Sequence, residues 1–290
     1  MSAFLLKLAA LISMLTDHCA IILYLRMVCG ADTYMLLRGI GRLAFPIFCF
    51  MLVNGWTHSS DRRGYAFRLM GFACLSQLPF TLAFTPGNSF GAVPGKLSIS
   101  LPGLPYVLLC VFFILMMFIT EKKFSALHAG IICLFTLLPG TVLSCGSILL
   151  LDSHMNVYYT LASGLMLICL SSRENIRELG WIKYLLCLAG LLAYFLIVQQ
   201  NADYGFMGLL LIFLLWVFRD SRPLTALWIV IWSFMEYGAG RNGLILLLFS
   251  CLSALPIMLY SGRKGPSCKY FFYAFYPIHL LVLGILNTVL

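Results

Sequence analysis

Residues 4–27 read FLLKLAALISMLTDHCAIILYLRM, a run in which only Lys7, Asp17 and Arg26 carry charge. A helix needs about 20 apolar residues to cross the hydrocarbon core of a bilayer, and this stretch has that length. No small-residue cleavage site follows a short apolar core, so it reads as a retained first span rather than a signal peptide. Working outward, comparable runs lie at 38–56, 65–85, 103–120, 126–151, 155–170, 181–200, 204–218, 223–237, 242–260 and 270–290. That makes about eleven spans, within a range of roughly ten to twelve. The run 126–151 is long and interrupted at Pro139-Gly140, which predicts a kinked or broken span, and 223–237 is short.

Composition agrees with this reading. The chain is 62% hydrophobic and 10% charged over 290 residues, whereas a soluble domain is charged at roughly a quarter of its positions. So few charges cannot cover a water-facing surface. The expected fold is all-α, a polytopic helical bundle forming a single membrane domain over 1–290 without a soluble appendage. The eleven cysteines are scattered singly, mostly in apolar runs and without a C-x-x-C. Neither a disulfide framework nor a metal site is expected.

The net charge is +9, but the basic residues sit in short loops, where they orient insertion instead of binding nucleic acid. If the loop with Arg62, Arg63 and Arg68 is cytosolic, every second loop is basic. The others carry Lys122 and Lys123; Arg173, Arg177 and Lys183; Arg219 and Arg222; and Arg263, Lys264 and Lys269. Thirteen of the nineteen basic residues fall on that side, while Arg26, Arg38, Lys96 and Arg241 fall opposite. The positive-inside rule therefore places the N-terminus in the cytosol, and a multi-pass protein of the cytoplasmic membrane, with lipid as its solvent, is expected. No internal repeat of the secondary-transporter kind is visible.

Ionisable groups inside spans are functional candidates by default. Lys7 and His18 are eleven positions apart, so on a helix they lie within about 20° of one face and about 16.5 Å apart along the axis. A long, thin anionic substrate held at Lys7 would reach His18; a snorkelling lysine and a bundle-internal histidine are the plainer roles. Asp17 points about 100° from His18 and suits an interhelical pair with Arg38 or Arg42, themselves an i,i+4 pair. Arg62, Arg63 and Arg68 at the base of the third span suit a phosphate, since guanidinium forks bind its oxygens bidentately, or simply set topology. Tyr273, Tyr276 and His279 recur every three residues near the start of the last span, where interfacial aromatics also gather. Asn156 and Asp203-Tyr204 open outer-side span starts, as helix caps or as acceptor and oxyanion contacts. His154 and Glu236 read as interfacial and solvated, while His58 and His128 carry no functional signal.

The blocks LKLAALISMLTDHCAIILY (6–24), LRGIGRLAFPIFCFMLVNGW (37–56) and YAFRLMGFACLSQLPF (65–80) resemble the TraX family, named for conjugal pilin acetylation. NVYYTLASGLMLI (156–168), NADYGFMGLLLI (201–212) and KYFFYAFYPIHLL (269–281) match its later blocks in order. The departure is 88–152, where two extra apolar spans stand in place of a shorter connection. TraX proteins in turn look like transmembrane acyltransferases, which move acetyl groups from cytosolic acetyl-CoA to an acceptor on the far side. The resemblance implies a coenzyme A nucleotide at Lys7, Arg62, Arg63 and Arg68, with Tyr273, Tyr276 and His279 lining its path. It also implies His18 as general base or acetyl carrier, beside Asp17. Arg42 or Asn156 would stabilise the oxyanion, and Arg38, Asp203 and Tyr204 would face the acceptor, whether peptide, glycan or small amine. Against this stand a proton-coupled transporter or flippase using Asp17, His18 and Arg42, and a non-enzymatic assembly scaffold.

Overall fold

The computed structural model describes all residues except 86–87, 89–92, 121–124, 173–179, 239–242, 267 and 290. The loop residues Lys122, Lys123, Arg173, Arg177 and Arg241 lie outside the described residues. The chain divides into two compact units, Met1–His58 with Leu210–Leu290, and Ser59–Leu209.

The first unit contains α1 (Ala3–Leu25), α2 (Ala31–Gly41) and α3 (Ala44–Thr57) from the N-terminal part of the chain. Its later helices are α10 (Arg222–Tyr237), α11 (Gly243–Leu252), α12 (Ala254–Met258) and α13 (Lys269–Val289). The unit boundary falls within α9 (Gly205–Val217). The Ser2 side chain caps α1 by accepting from the Leu5 amide. Helices α2 and α3 form one 27-residue apolar run broken at Arg42–Leu43. Pro46 explains the break, because it has no N–H for the carbonyl four residues earlier, that of Arg42, and its ring crowds that carbonyl. The chain passes the break with tighter bonds, Arg42 N–H to Gly39 O and Leu43 N–H to Ile40 O.

Helix α1 packs against α2 and α3 on one side and against α13 on another. Its first residues are tied to the segment before α13: Ala3 N–H donates to Arg263 O at 2.8 Å and Phe4 N–H to Lys264 O at 3.2 Å. At the opposite end the Arg26 guanidinium donates to Leu286 O and Asn287 O. Start meets start and end meets end, so α1 and α13 run parallel. Two parallel crossings must be separated by an odd number of others. If both cross the bilayer, the number of crossings from first to last is odd.

The second unit holds α4 (Arg62–Phe84), α5 (Leu104–Thr120), α6 (Ala126–Leu137), α7 (Val157–Ser171) and α8 (Trp181–Ile197). Asp61 caps α4 at Gly64 N–H, Ser125 caps α6 at His128 N–H and Asn156 caps α7 at Tyr158 N–H. Helices α4 and α6 are also parallel, with Phe67 and His128 in ring contact near both starts. Arg62 and Ser125 thus lie at the same end of this unit.

The run 126–151 is not one span. Helix α6 ends in a single 3₁₀ turn at Leu138–Gly140, where Pro139 removes a donor, and the chain then turns into strands β2 (Val142–Cys145) and β3 (Ile148–Leu151). With β1 (Leu97–Ser100) these make an antiparallel sheet in the order β1-β2-β3. Strands this apolar add to a hydropathy sum as helix would, which is why the run reads as a span. Gly146 opens the β2–β3 turn at φ +64°, and a Cβ there would meet Val93 O at 2.4 Å. Asn88 fastens the sheet to α4: its amide donates to Thr81 O and Leu149 O, and its oxygen accepts from Leu149 N–H.

Among the described residues five helices are long and apolar enough to cross a bilayer: Ala3–Leu25, Ala31–Thr57, Arg62–Phe84, Trp181–Asn201 and Tyr270–Asn287. Shorter apolar helices accompany them in both units. Leu5, Ile12 and Leu23 on α1, and Ile278, Val282 and Ile285 on α13, are exposed, as lipid-facing residues are. The protein is a helical membrane protein with one small sheet.

Candidate active site

The α1–α13 seam brings four chemically active groups onto one line. At its start the Lys7 ammonium lies 5.3 Å from the centre of the Phe272 ring, and Phe4 packs edge-on to the same ring. Further along, His18 Nδ1 meets His279 Nε2 at 2.7 Å. Tyr276 stands edge-on to both imidazoles, at 6.1 and 5.6 Å between ring centres. Phe272, Tyr276 and His279 follow an i, i+4, i+7 spacing, one face of α13. At the level of Lys7 the α13 residue is therefore Phe272, the neighbour in sequence of the candidate Tyr273. The backbone of Arg263 and Lys264, read from sequence as topology markers, joins α1 at this same end.

The hydrogen bonds fix the tautomers of the pair. His279 Nδ1 lies 2.7 Å from Phe275 O, and a carbonyl can only accept, so Nδ1 carries the proton. In a neutral His279, Nε2 is then the acceptor. His18 then donates to it from Nδ1, which in a neutral imidazole puts the lone pair on Nε2. The two rings are within 6° of coplanar with centres 5.0 Å apart. They meet edge to edge, so N–H and lone pair share a plane. Protonation of His18 at Nε2 would be matched by drift of its Nδ1 proton toward His279 Nε2.

One residue away, on the α1 face turned to α2, Asp17 Oδ2 accepts from Arg38 Nη1 at 2.5 Å and Oδ1 accepts from Arg42 Nη2 at 3.2 Å. All three side chains are largely shielded, with 13% of Asp17, 10% of Arg42 and 23% of Arg38 exposed. Arg42 also stands over Tyr237 and Arg38 over Tyr34. Gly41 makes the approach possible, because a Cβ there would fall 2.3 Å from the Asp17 Cβ and carboxylate. One turn earlier on the same face, Ser13 Oγ donates to Ile40 O. The interhelical pairing of Asp17 with Arg38 and Arg42 is thus present, and the Pro46 break sets Arg42 at the end of a helix.

The remaining sequence candidates lie in the second unit. The Asn156 oxygen accepts from Tyr158 N–H, and its amide donates to Ala73 O and Gln77 Oε1, so its polar atoms anchor the start of α7. Asp203 pairs with His154 at 3.2 Å, and its carbonyl accepts from the Thr160 hydroxyl. That hydrogen bond, in a loop outside the spans, holds His154 above the ordinary histidine range. Tyr204 adopts φ +62° just before α9. Arg63 stands over Phe67 at 5.9 Å, and Arg68 pairs with Asp61 at 3.1 Å at the start of α4. Arg62 is the first residue of the same helix. Phe272, the Phe275 carbonyl and Gly41 were not found from sequence. A face analysis of α13 counted back from His279 would have found the first.

The sequence profile of the TraX protein family matches residues 2–148 and 145–287. The chain belongs to the TraX family. The two matched stretches together run through 88–152, the segment set apart above as a departure from the TraX pattern. The chain is also similar to a probable fimbrial assembly protein, FimC of serogroup H1, from Dichelobacter nodosus, with 42% identity over 79 residues. That likeness covers 27% of this chain and 31% of the relative, well under two thirds of the latter's length. No solved structure matches the chain.

Proposed function

We propose that this TraX-family chain is a membrane-embedded acetyltransferase of the cytoplasmic membrane. It would take an acetyl group from cytosolic acetyl-CoA and pass it to an amine or hydroxyl at or beyond the outer face. The observation that carries the reading is the coupled pair His18–His279, set in an apolar seam beside an Asp17–Arg38–Arg42 cluster.

In this reading the acceptor nitrogen or oxygen attacks the thioester carbonyl as His18 Nε2 takes its proton. Arg42, with Arg38, faces the negative charge growing on the carbonyl oxygen. The C–S bond then breaks, and the leaving thiolate takes the proton back from the imidazole pair. His279 orients His18 and shares the positive charge. Lys7 at the start of the seam suits an anionic group of the coenzyme, and Arg62 and Arg63 are further candidates for its phosphates. A pilin- or fimbrin-type peptide N-terminus is the favoured acceptor, since the similar relative is a probable fimbrial assembly protein. Glycans and small amines are alternatives.

The test is acetyl transfer by purified protein supplied with acetyl-CoA and an acceptor peptide bearing a free amine. A positioned base contributes about 10²–10⁴ in rate, so His18→Ala should lose nearly all turnover while keeping its melting temperature and coenzyme affinity. Full turnover in a folded His18→Ala variant would refute the mechanism. A parent protein that binds no acetyl-CoA would favour the transporter or scaffold readings.

A further inference from the structure

Between α4 and α6 the second unit carries a groove of about 320 Å³ that the acetyl-transfer reading does not use. It is lined by Gly64, Phe67, Arg68 and Gly71 of α4, continuing to Leu75, and by Leu127, His128 and Ile131 of α6. The two glycines lie seven residues apart, two turns on one face; the Asp61 side chain fills the space beside Gly64, whereas Gly71 leaves the face open. A Cβ at Gly71 would find its nearest atom, on Ile131, 4.0 Å away. Beyond Gly71 the walls are wholly apolar, and Leu75 and Leu127 are exposed.

The polar groups are confined to one end. Arg68 Nε and His128 Nδ1 are both buried, and neither has a hydrogen-bond partner among the described residues. Phe67 joins the two helices there, lying 4.2 Å from the His128 ring and under the Arg63 guanidinium. Among the described residues at this mouth, Arg62, Arg63 and Arg68 outnumber the acid Asp61. Two buried nitrogens lacking acceptors, an excess of positive charge and an apolar trough leading away from them call for one kind of occupant. Its anionic head must accept hydrogen bonds, and its tail must be hydrocarbon.

We infer that the α4–α6 groove binds an anionic phospholipid of the cytosolic leaflet. Its phosphate lies at Arg68 and His128, and one acyl chain lies along Gly71, Leu75, Leu127 and Ile131. The basic mouth is on the side that the positive-inside rule makes cytosolic, where anionic lipids concentrate and basic pockets between helices hold their headgroups. Arg68, expected from sequence to belong to the coenzyme set, is on this account a lipid ligand.

The experiment compares the protein in nanodiscs of phosphatidylglycerol and of phosphatidylcholine, then counts retained lipid by native mass spectrometry after release into detergent. The parent should keep one phosphatidylglycerol and no phosphatidylcholine. Arg68→Gln with His128→Gln removes charge-assisted bonds and should lower retention about tenfold. Gly71→Leu leaves the mouth intact but fills the trough, and should do the same. Gly71→Leu should bind acetyl-CoA as the parent does. Equal retention of the two lipids, or retention unaffected by both variants, would overturn the inference. So would displacement of the lipid by acetyl-CoA, or a change of oligomeric state in Gly71→Leu, since the groove would then belong to coenzyme or to a second copy.

Discussion

The Asp17 cluster gives the sharpest quantitative test. Asp17→Ala removes two hydrogen bonds between charged partners, each worth about 1.5–3 kcal/mol. Arg38 is nearly a quarter exposed, so solvent screening reduces its share to the low end or below. Arg42, 10% exposed, carries most of the effect, because it loses its carboxylate partner on α1. The expected loss is therefore about 3 kcal/mol, at the lower edge of the 3–5 kcal/mol for breaking a buried pair. Arg42→Met should cost less, because Asp17 keeps Arg38. The double variant should be more stable than the sum of the singles by about 1–2 kcal/mol, the coupling expected for residues in direct contact. Gly41→Ala attacks the same contact without touching a charge. Its Cβ overlaps the Asp17 side chain, and overpacking of this kind costs about 1–3 kcal/mol. Denaturant titration of detergent-solubilised variants, followed by tryptophan fluorescence, measures all four. Additive losses for Asp17→Ala and Arg42→Met, or a Gly41→Ala protein as stable as the parent, would refute the packing described for α1 and α2.

Three further outcomes follow from the geometry. A glutamine oxygen can still accept from His18 Nδ1, so His279→Gln should lose only about tenfold in kcat, whereas His279→Phe should lose about 10²–10⁴ with KM for acetyl-CoA unchanged; equal losses would remove the orienting role. The pKa of His154 is raised by its bond to Asp203, so the stability it contributes is present below the unfolded histidine value and lost as pH rises through the folded one. The advantage of the parent over His154→Gln should therefore vanish on going from mildly acidic to alkaline pH, and a constant difference would contradict the pairing. Cysteine labelling should find positions 62–63 and 263–264 reactive from the cytosol and position 96 from outside; the reverse pattern would invert the charge-based orientation.

What the sequence made legible was whatever depends on local pattern. Apolar length gave most of the helices, and helical spacing put Lys7 and His18 on one face. The 100° offset of Asp17 from His18 already turned it toward a different helix from the one His18 meets. Two features escaped for physical reasons. Strands β2 and β3 are as apolar as a span, and only Pro139 and the turn glycine Gly146 distinguish them. The contact between His18 and His279 is invisible to any local rule, because it depends on which helices close the bundle. His279 was assigned to a coenzyme path on resemblance, and the hydrogen bond to Phe275 O that fixes its tautomer exists only in three dimensions.

That contact joins residues 261 positions apart, and the rest of the seam spans comparable distances in sequence. Lys7 waits for Phe272, and Arg26 for the carbonyls of Leu286 and Asn287. The first helix alone offers a lysine, an aspartate and a histidine to a membrane that penalises each of them. Asp17 is matched early, by α2, the next element inserted, whereas His18 gains its partner only when the last crossing is in place. The two sets of groups are therefore satisfied at different stages of assembly. The Asp17–Arg38–Arg42 cluster can lock α1 to α2 as soon as both are inserted, and the imidazole pair forms only in the finished bundle. A partly assembled chain would hold the charge cluster but not the hydrogen bond that sets the His18 tautomer. On the proposed mechanism, the base would be complete only after α13 has closed against α1.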